Sequence, residues 1–252
     1  MLDRDALRGL LAAGLAELDT TRALWEGGSA AFGRADVWSD LDLVAIVRDE
    51  AVAATFARAE QVLHATGGID LTWPVPEPTM HGHSQRLYRL QRASPDTLVD
   101  LVVMKVSAQG RFLEPERHGD ALVLLDRDGL VQAGRAFDRG AHQGRIHRVV
   151  AQIAARRAML DRFVLKEVRR NRPLDALSRF QALEVAPLVT LLRARYCPDR
   201  FDFGMRYLAE DLPPQAHARL MALVFVPSPG DIEQRSEAAR GWIDQLLAEL
   251  SG

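Results

Sequence analysis

Residues 27–43 read GGSAAFGRADVWSDLDL, a glycine-containing turn followed by two aspartates at the start of an apolar run. Gly27 and Gly28 carry no side chain, so the backbone N–H groups around them can approach a ligand closely. Ser29 adds a hydroxyl group, and a helix beginning here would direct the positive end of its dipole toward an anion. The turn is therefore predicted to hold phosphate groups.

The two aspartates of this stretch are predicted to share one face of a strand. Asp40 and Asp42 are separated by one residue, and side chains alternate along a strand, so both carboxylates point the same way. Two carboxylates this close repel each other, and a cation between them removes the repulsion. Mg²⁺ suits the position because it takes oxygen ligands and completes its coordination with water and substrate phosphates. The pair is a candidate magnesium site.

A third acid on a neighbouring strand would hold a second metal ion or accept the proton of an attacking hydroxyl group. Asp100 opens the apolar segment DLVVM, in which a carboxylate has no structural use unless it is paired or functional. Asp70 is a rival, because the segment IDLTW over residues 69–73 also reads as a strand bearing one acid. Periodicity does not choose between the two aspartates.

Apolar patterning predicts a small sheet in the first half of the chain. Leucines at intervals of three and four between residues 7 and 18 predict an amphipathic first helix, and residues 51–65 form a second helical segment. Short apolar segments predict strands at residues 23–26, 41–47, 69–73, 86–90, 98–104 and 121–125.

The second half of the chain is predicted to be helical, because Ala, Leu, Arg and Glu dominate it from Phe137 onward. Helices are predicted at residues 141–168, 174–196, 203–210, 214–225 and 232–250. We therefore expect an α+β protein with a small mixed-sheet domain over residues 1–136. An all-α helical bundle follows over residues 137–252, with the active cleft expected between the two.

Composition limits the classes of partner. The 252 residues contain 32 Lys and Arg against 34 Asp and Glu, so no excess of positive charge exists to hold nucleic acid. Cys197 is the single cysteine, which excludes an intrachain disulfide and a cysteine metal cluster. The first residues lack the apolar core of a signal peptide, and no stretch reaches the length of a membrane span. We expect a cytoplasmic protein without nucleic-acid or membrane partners.

The glycine–serine pair, the Asp-x-Asp motif and the later acid together resemble the signature of the nucleotidyltransferase superfamily. Within it, the chain looks most like bacterial aminoglycoside-adenylyltransferase-type proteins, in which a small catalytic domain precedes a helical domain. Further segments resemble sequences of that group, namely VDLVV at 99–103, LLDRDG at 124–129, and RYL at 206–208 leading into Leu212 and Pro213.

The resemblance implies a magnesium-dependent attack by a substrate hydroxyl on the α-phosphorus of a nucleoside triphosphate, with release of pyrophosphate. ATP is the implied donor, and AMP the group transferred. Asp40 and Asp42 would ligate the metal, and Asp100, preferred to Asp70 on the resemblance, would complete the carboxylate set. Ser29 would hold the β- and γ-phosphates together with the backbone of Gly28.

Two further charged residues are candidates for the site. Glu184 falls on the apolar stripe of its predicted helix, where burial would raise its pKa and suit a general base facing the acceptor hydroxyl. An ion pair with an arginine of a neighbouring helix is the alternative. Arg34 precedes the aspartate pair and could reach a phosphate or stay solvated. His81 and His83 are assigned to a loop, because no further metal ligands accompany them.

The acceptor is predicted to be a small hydroxylated molecule such as an aminoglycoside-like antibiotic. A cationic acceptor needs an acidic pocket, and the helical half offers Glu184, Asp175, Glu210 and Asp211 among many arginines. Two alternatives stay open. One is adenylylation of a protein hydroxyl, as in small nucleotidyltransferases of toxin–antitoxin systems, and the other is a nucleotide-binding regulatory module without turnover.

Overall fold

The computed structural model describes residues 2–250 of the chain. It forms two compact units, and the boundary between them along the chain falls between Phe137 and Asp138. The first unit contains a β-sheet with helices, and the second contains helices, so the predicted α+β fold class is confirmed.

The first unit is built on a six-stranded mixed sheet with the order β3-β4-β5-β2-β1-β6. The strands are β1 (Thr21–Glu26), β2 (Leu41–Val47), β3 (Ile69–Pro74), β4 (Ser84–Leu90), β5 (Leu98–Lys105) and β6 (Leu122–Asp126). Strands β2 and β5 run parallel, and the other neighbouring pairs are antiparallel. The central parallel pair brings the beginnings of two strands to the same edge of the sheet.

The α-helices that accompany the sheet are α1 (Arg4–Ala16), α2 (Gly28–Ala31), α3 (Val52–Thr66), α4 (Pro115–His118) and α5 (Leu130–Ala133). Helices α1 and α3 cover one face. Leu7, Leu11 and Leu15, four residues apart on α1, are fully buried in the same core cluster as Leu43 of β2. Val44, the next residue of β2, packs in the cluster on the opposite face. Burial on both faces explains the nearly unbroken apolar run of this strand.

In the second unit, the regular structure of the described residues is helical. Its elements are α6 (Arg139–Leu160), α7 (Phe163–Arg169), α8 (Pro173–Phe180), a π-helical segment (Gln181–Val185), α9 (Ala186–Tyr196), α10 (Leu208–Asp211), α11 (Pro214–Val224) and α12 (Ile232–Leu250). One core cluster, with Phe180, Leu188 and Trp242 among its members, joins these helices. Among residues 2–250, no helix combines the length and apolar character that would let it cross a membrane.

The prediction of a helix at residues 203–210 is wrong, because most of that segment forms turns and α10 begins only at Leu208. Gly204 and Tyr207 have φ values of +58° and +56°, which a right-handed helix does not accommodate. The fully buried guanidinium of Arg193 donates from Nε to the Gly204 carbonyl oxygen over 2.6 Å. The Arg193 side chain therefore supplies hydrogen-bond donors to backbone carbonyl oxygens, in place of the N–H groups of a helix.

Two other predicted helices form with interruptions. The helix predicted at residues 141–168 is divided between Leu160 and Phe163 into α6 and α7. The helix predicted at 174–196 contains the π-helical segment between α8 and α9. Such π-helical turns often occur at functional positions.

Candidate active site

Asp42 and Asp100 lie opposite each other on the central parallel strands. Strands β2 and β5 pair in a register that makes the two aspartates direct Cα partners, at the spacing of about 4.8 Å between neighbouring strands. Because side chains alternate, both carboxylates share the sheet face on which Val44 and Val102 are buried. The fold therefore brings Asp42 and Asp100 together on one face of the sheet.

Asp40 connects the start of β2 to the start of β5. The Leu98 N–H donates to Asp40 Oδ1 over 2.9 Å, and Arg4 Nε donates to the Asp40 carbonyl oxygen over 3.0 Å. Arg4 also forms an ion pair with Glu26, a fully buried acid at the end of β1. Asp40 therefore has a structural role beside the ligand role predicted for it.

The pKa of the Asp100 carboxyl group is raised above its usual value of 3.8. Burial is the main cause; the hydrogen bond from Gln85 acts in the opposite direction, and the charge of Asp40 adds to the increase. Asp40 and Asp100 are thus close enough for their charges to interact. A cation at this position would favour the ionised form of both.

The glycine turn comes directly against the Asp42 carboxylate. Gly27 N–H donates to the Asp42 carbonyl oxygen over 2.9 Å. Gly28 has φ +56°, and a Cβ atom added to it would lie 1.7 Å from Asp42 Oδ2. Ser29 follows in α2, and its Oγ is buried with no hydrogen-bond partner in the described part of the chain. The predicted phosphate turn therefore lies beside the predicted metal ligand.

Residues of the site fit a magnesium ion that arrives with a nucleotide. Within residues 2–250, no three His, Cys, Asp or Glu side chains are arranged to hold a metal ion by themselves. Mg²⁺ is commonly held by one or two carboxylates, with water and substrate phosphates as the other ligands. Asp42 and Asp100 supply such a pair, and Asp40 as a third ligand stays a prediction.

Asp70, the rival third carboxylate, lies far from this site in the sheet. Its strand β3 is the edge strand, and β4 and β5 separate it from β2. The Asp70 carboxylate forms an exposed ion pair with Arg89 on β4, at 2.6 Å. The order of the strands therefore brings Asp100, and not Asp70, beside Asp42.

Gln85 is a site residue that sequence reasoning missed. Its Nε2 lies 2.8 Å from each carboxylate oxygen of Asp100 and donates to both. Gln85 is opposite Val102 in the antiparallel pairing of β4 with β5, so it shares the face of the sheet that carries Asp100. The pairing of β4 with β5 places Gln85 beside Asp100, and no pattern in the sequence predicts this pairing.

Comparison with known proteins gives structural neighbours and no family. No protein-family model matches this sequence. No curated protein matches it either. The chain is similar to a solved structure described as an aminoglycoside 6-adenyltransferase from Bacillus subtilis, with 12% identity, a TM-score of 0.39, and coverage of 100% of this chain and 91% of that chain.

A second similar structure is described as a nucleotidyltransferase-like protein from Exiguobacterium sibiricum. The identity is 14% and the TM-score 0.42, with coverage of 98% of this chain and 74% of that chain. Identities this low do not transfer an activity from one chain to another.

Glu184 lies in the π-helical segment of the second unit and is 4% exposed. Ser236 Oγ donates to Glu184 Oε1 over 2.9 Å, and Oε2 has no hydrogen-bond partner within the described residues. Burial raises the pKa of Glu184 to about 7, against the opposing effects of the Ser236 hydrogen bond and of the charges of Arg240 and Arg157. A serine hydroxyl thus takes the place of the arginine expected as its partner. A general-base role stays a prediction and requires the acceptor to reach a buried carboxylate.

We expect Glu184 to make the protein less stable as the pH rises from 4.5 to about 7. In this window the unfolded chain releases the Glu184 proton while the native state retains it, so the native state binds more protons and loses stability with rising pH. The loss amounts to at most about 3 kcal/mol. Denaturant unfolding of wild type and Glu184→Gln at several pH values measures it.

The stability of Glu184→Gln relative to wild type should therefore increase across this pH window and level off above it. Glu233→Gln, which makes the same chemical change at an exposed glutamate of α12, is the matched control. A stability difference between Glu184→Gln and wild type that does not vary with pH would contradict the assignment.

The remaining predicted site residues have defined surroundings. Arg34 N–H donates to the Ser29 carbonyl oxygen over 2.9 Å, and its guanidinium lies 5.2 Å from the centre of the Phe32 ring. In the helical unit, Asp211 is buried and paired with Arg193 at 2.8 Å. Of the four acids suggested for an acceptor pocket, Glu184 and Asp211 are therefore interior residues, and the exposed ones are Asp175 and Glu210.

Proposed function

We propose that this chain transfers AMP from ATP to a hydroxyl group of a small molecule in a magnesium-dependent reaction. The observation that carries the proposal is the register of the parallel strands, which makes Asp42 and Asp100 direct partners while the backbone of Gly28 lies against the Asp42 carboxylate. Two carboxylates on one sheet face, beside a turn without side chains, form a site for a metal-bound phosphate group.

Each group in the site would have a separate role. Asp42 and Asp100, with Asp40 as a further ligand, would hold magnesium, which supplies charge neutralisation at the phosphates. The acceptor oxygen forms a bond to the α-phosphorus, and the bond to the β-phosphate oxygen breaks, so pyrophosphate leaves. Asp100 would also take the proton of the hydroxyl, since it lies beside Asp42 on the same face of the sheet.

The turn at residues 27–29 would bind the β- and γ-phosphates. The buried Ser29 hydroxyl has no partner within residues 2–250, so a phosphate oxygen would satisfy it without displacing another contact. The backbone at Gly28 can approach a phosphate because no side chain covers it. Arg34, three residues after the end of the short helix, would add positive charge. Positioning and charge neutralisation of this kind provide most of the catalysis in phosphoryl-type transfers.

The helical unit, which begins at Asp138, is proposed to bind the acceptor. A small neutral or weakly charged molecule suits it at least as well as a polycation, because two of its four candidate acids are buried in the interior. Asp175 and Glu210 would be the groups that attract a cationic acceptor such as an aminoglycoside.

Incubation with ATP labelled at the α-phosphate, magnesium and a panel of hydroxylated small molecules tests the function. We expect a labelled small-molecule product and an equal amount of pyrophosphate, with aminoglycosides as one arm of the panel. A labelled protein band would instead support protein adenylylation. Binding of ATP without release of pyrophosphate for any acceptor would support a regulatory module and overturn the proposal.

Asp100→Asn is expected to reduce turnover by about 100- to 10,000-fold, the usual contribution of a general base. The same change should leave the thermal midpoint of the metal-free protein unchanged or higher, because burial of the Asp100 charge opposes folding. Rates and thermal melts of the variant beside wild type check both effects. Loss of activity that only follows a lowered midpoint would show that Asp100 is a structural residue.

A further inference from the structure

The His81 ring is held in place in the loop that leads into β4. It stacks on the His83 ring with 5.4 Å between centroids, and the Phe112 ring meets it edge-on at 5.6 Å. His81 Nε2 lies 3.2 Å from Gln85 Oε1, and the His83 backbone N–H donates to His81 Nδ1 over 3.2 Å. Both ring nitrogens therefore have defined partners.

These partners determine which ring nitrogen carries the proton. A backbone N–H is always a donor, so His81 Nδ1 must accept and carries no proton. The Thr79 hydroxyl, also 3.2 Å from Nδ1, donates its hydrogen to the His83 carbonyl oxygen over 2.6 Å. The proton of the neutral ring consequently lies on Nε2, and it is donated to Gln85 Oε1.

The orientation of the Gln85 amide follows from that proton. With Oε1 accepting from His81, the NH₂ group faces Asp100 and donates to both carboxylate oxygens at 2.8 Å. A flipped amide would place its oxygen against the carboxylate and its NH₂ against the ring N–H, which is unfavourable at both ends. Each Asp100 oxygen keeps a second lone pair for a further ligand.

We propose that His81 is a positioning residue, which acts through Gln85 to fix the orientation of the Asp100 carboxylate in the active site. The inference rests on the proposed function, in which Asp100 is the third carboxylate. Partners one step removed from a metal ligand or base commonly contribute about 10- to 100-fold to activity or metal affinity. The contribution of His81 should appear in turnover rather than in nucleotide binding, because its ring contacts Gln85 and not the phosphate turn.

Kinetic measurements on two His81 variants distinguish a role in positioning Asp100 from a role in stabilising the loop. His81→Leu keeps an apolar side chain in the loop and removes the donor, so kcat should fall about 10- to 100-fold with KM for ATP unchanged. His81→Gln returns an amide N–H near the position of Nε2 and should recover most of the loss. His64→Leu, an exposed histidine of α3, is the control and should match wild type. A Leu variant with wild-type kcat, or a folded Gln variant as slow as the Leu variant, overturns the proposal.

Nuclear magnetic resonance of the metal-free, nucleotide-free protein gives a readout that needs no activity. We expect the His81 Nδ1 signal of an unprotonated nitrogen, and in His81→Leu a shift of the Gln85 side-chain amide and the Asp100 carboxyl carbon. A protonated Nδ1, or unchanged Gln85 and Asp100 signals in His81→Leu, contradicts the positioning. If the wild-type protein transfers no nucleotide, the proposed function is wrong but the proposal for His81 is not thereby overturned. The resonance signals still show whether His81 orients Asp100.

Discussion

Asp42→Asn should lower nucleotidyl transfer to the background rate, a loss of about 1000-fold or more, while the protein stays folded. Asparagine has nearly the same shape and keeps an oxygen at this position, but it removes the charge that would face the proposed metal. Asp42 is the direct strand partner of Asp100, so no other carboxylate on β2 can take over its role. Turnover with saturating ATP and magnesium, measured beside circular dichroism and a thermal melt, checks the prediction.

Asp70→Asn is the matched control, because it makes the same chemical change on an exposed edge strand of the same sheet. Loss of its surface ion pair with Arg89 should cost at most about 1 kcal/mol of stability. Its turnover should equal that of wild type. Normal turnover by Asp42→Asn, or an inactive and well-folded Asp70→Asn, would show that the carboxylate pair is assigned to the wrong strands.

Gly28→Ala should abolish both transfer and tight ATP binding. The added Cβ would lie 1.7 Å from Asp42 Oδ2, so the turn and the carboxylate cannot both keep their positions. The backbone is also left-handed here, with φ +56°, which disfavours any side chain. Isothermal titration with ATP and magnesium, together with turnover, measures the two losses.

Gly33→Ala is the control that separates the effect of the close contact with Asp42 from the effect of the left-handed backbone conformation. Gly33 has a similar φ of +64°, but an added Cβ would meet no atom within 4 Å. Both alanine variants should lose about 1 to 2 kcal/mol of stability from the left-handed conformation. Retained ATP binding in Gly33→Ala beside its loss in Gly28→Ala would assign the effect to the contact with Asp42, whereas equal losses would assign it to backbone strain.

The strands could be predicted from sequence because they are short and bounded by turn residues, and because the segments of β1, β2 and β5 are apolar and largely buried. Alternation predicts a common face for Asp40 and Asp42, but β2 begins at Leu41, so Asp40 lies just before the strand and its place on that face stays a prediction. The choice between Asp70 and Asp100 depends on the order of strands in the sheet, which periodicity does not contain. The same limit explains Gln85, whose place beside Asp100 depends on the register of β4 and β5 and on the loop that holds His81.

Long-range partners set a similar limit in the helical unit. The apolar stripe predicted that Glu184 is buried, but its partner Ser236 lies 52 residues further along the chain. Arg193 was missed as the organiser of the turns after α9, because helical composition in residues 203–210 gave no sign that a buried guanidinium would bind their carbonyl groups. Helix propensity is a property of one segment, whereas these contacts depend on which segments pack together in the folded chain.

The hydrogen bond from Leu98 to Asp40 joins residues 58 positions apart, at the point where two strands become neighbours. The carboxylates of the candidate site therefore do not exist as a group until this distant pairing has formed, and contacts of such high sequence separation form slowly. A slip of one residue between β2 and β5 would turn Asp42 or Asp100 to the opposite face. A refolding chain should consequently regain its secondary structure before it regains activity, and a misregistered chain should be inert.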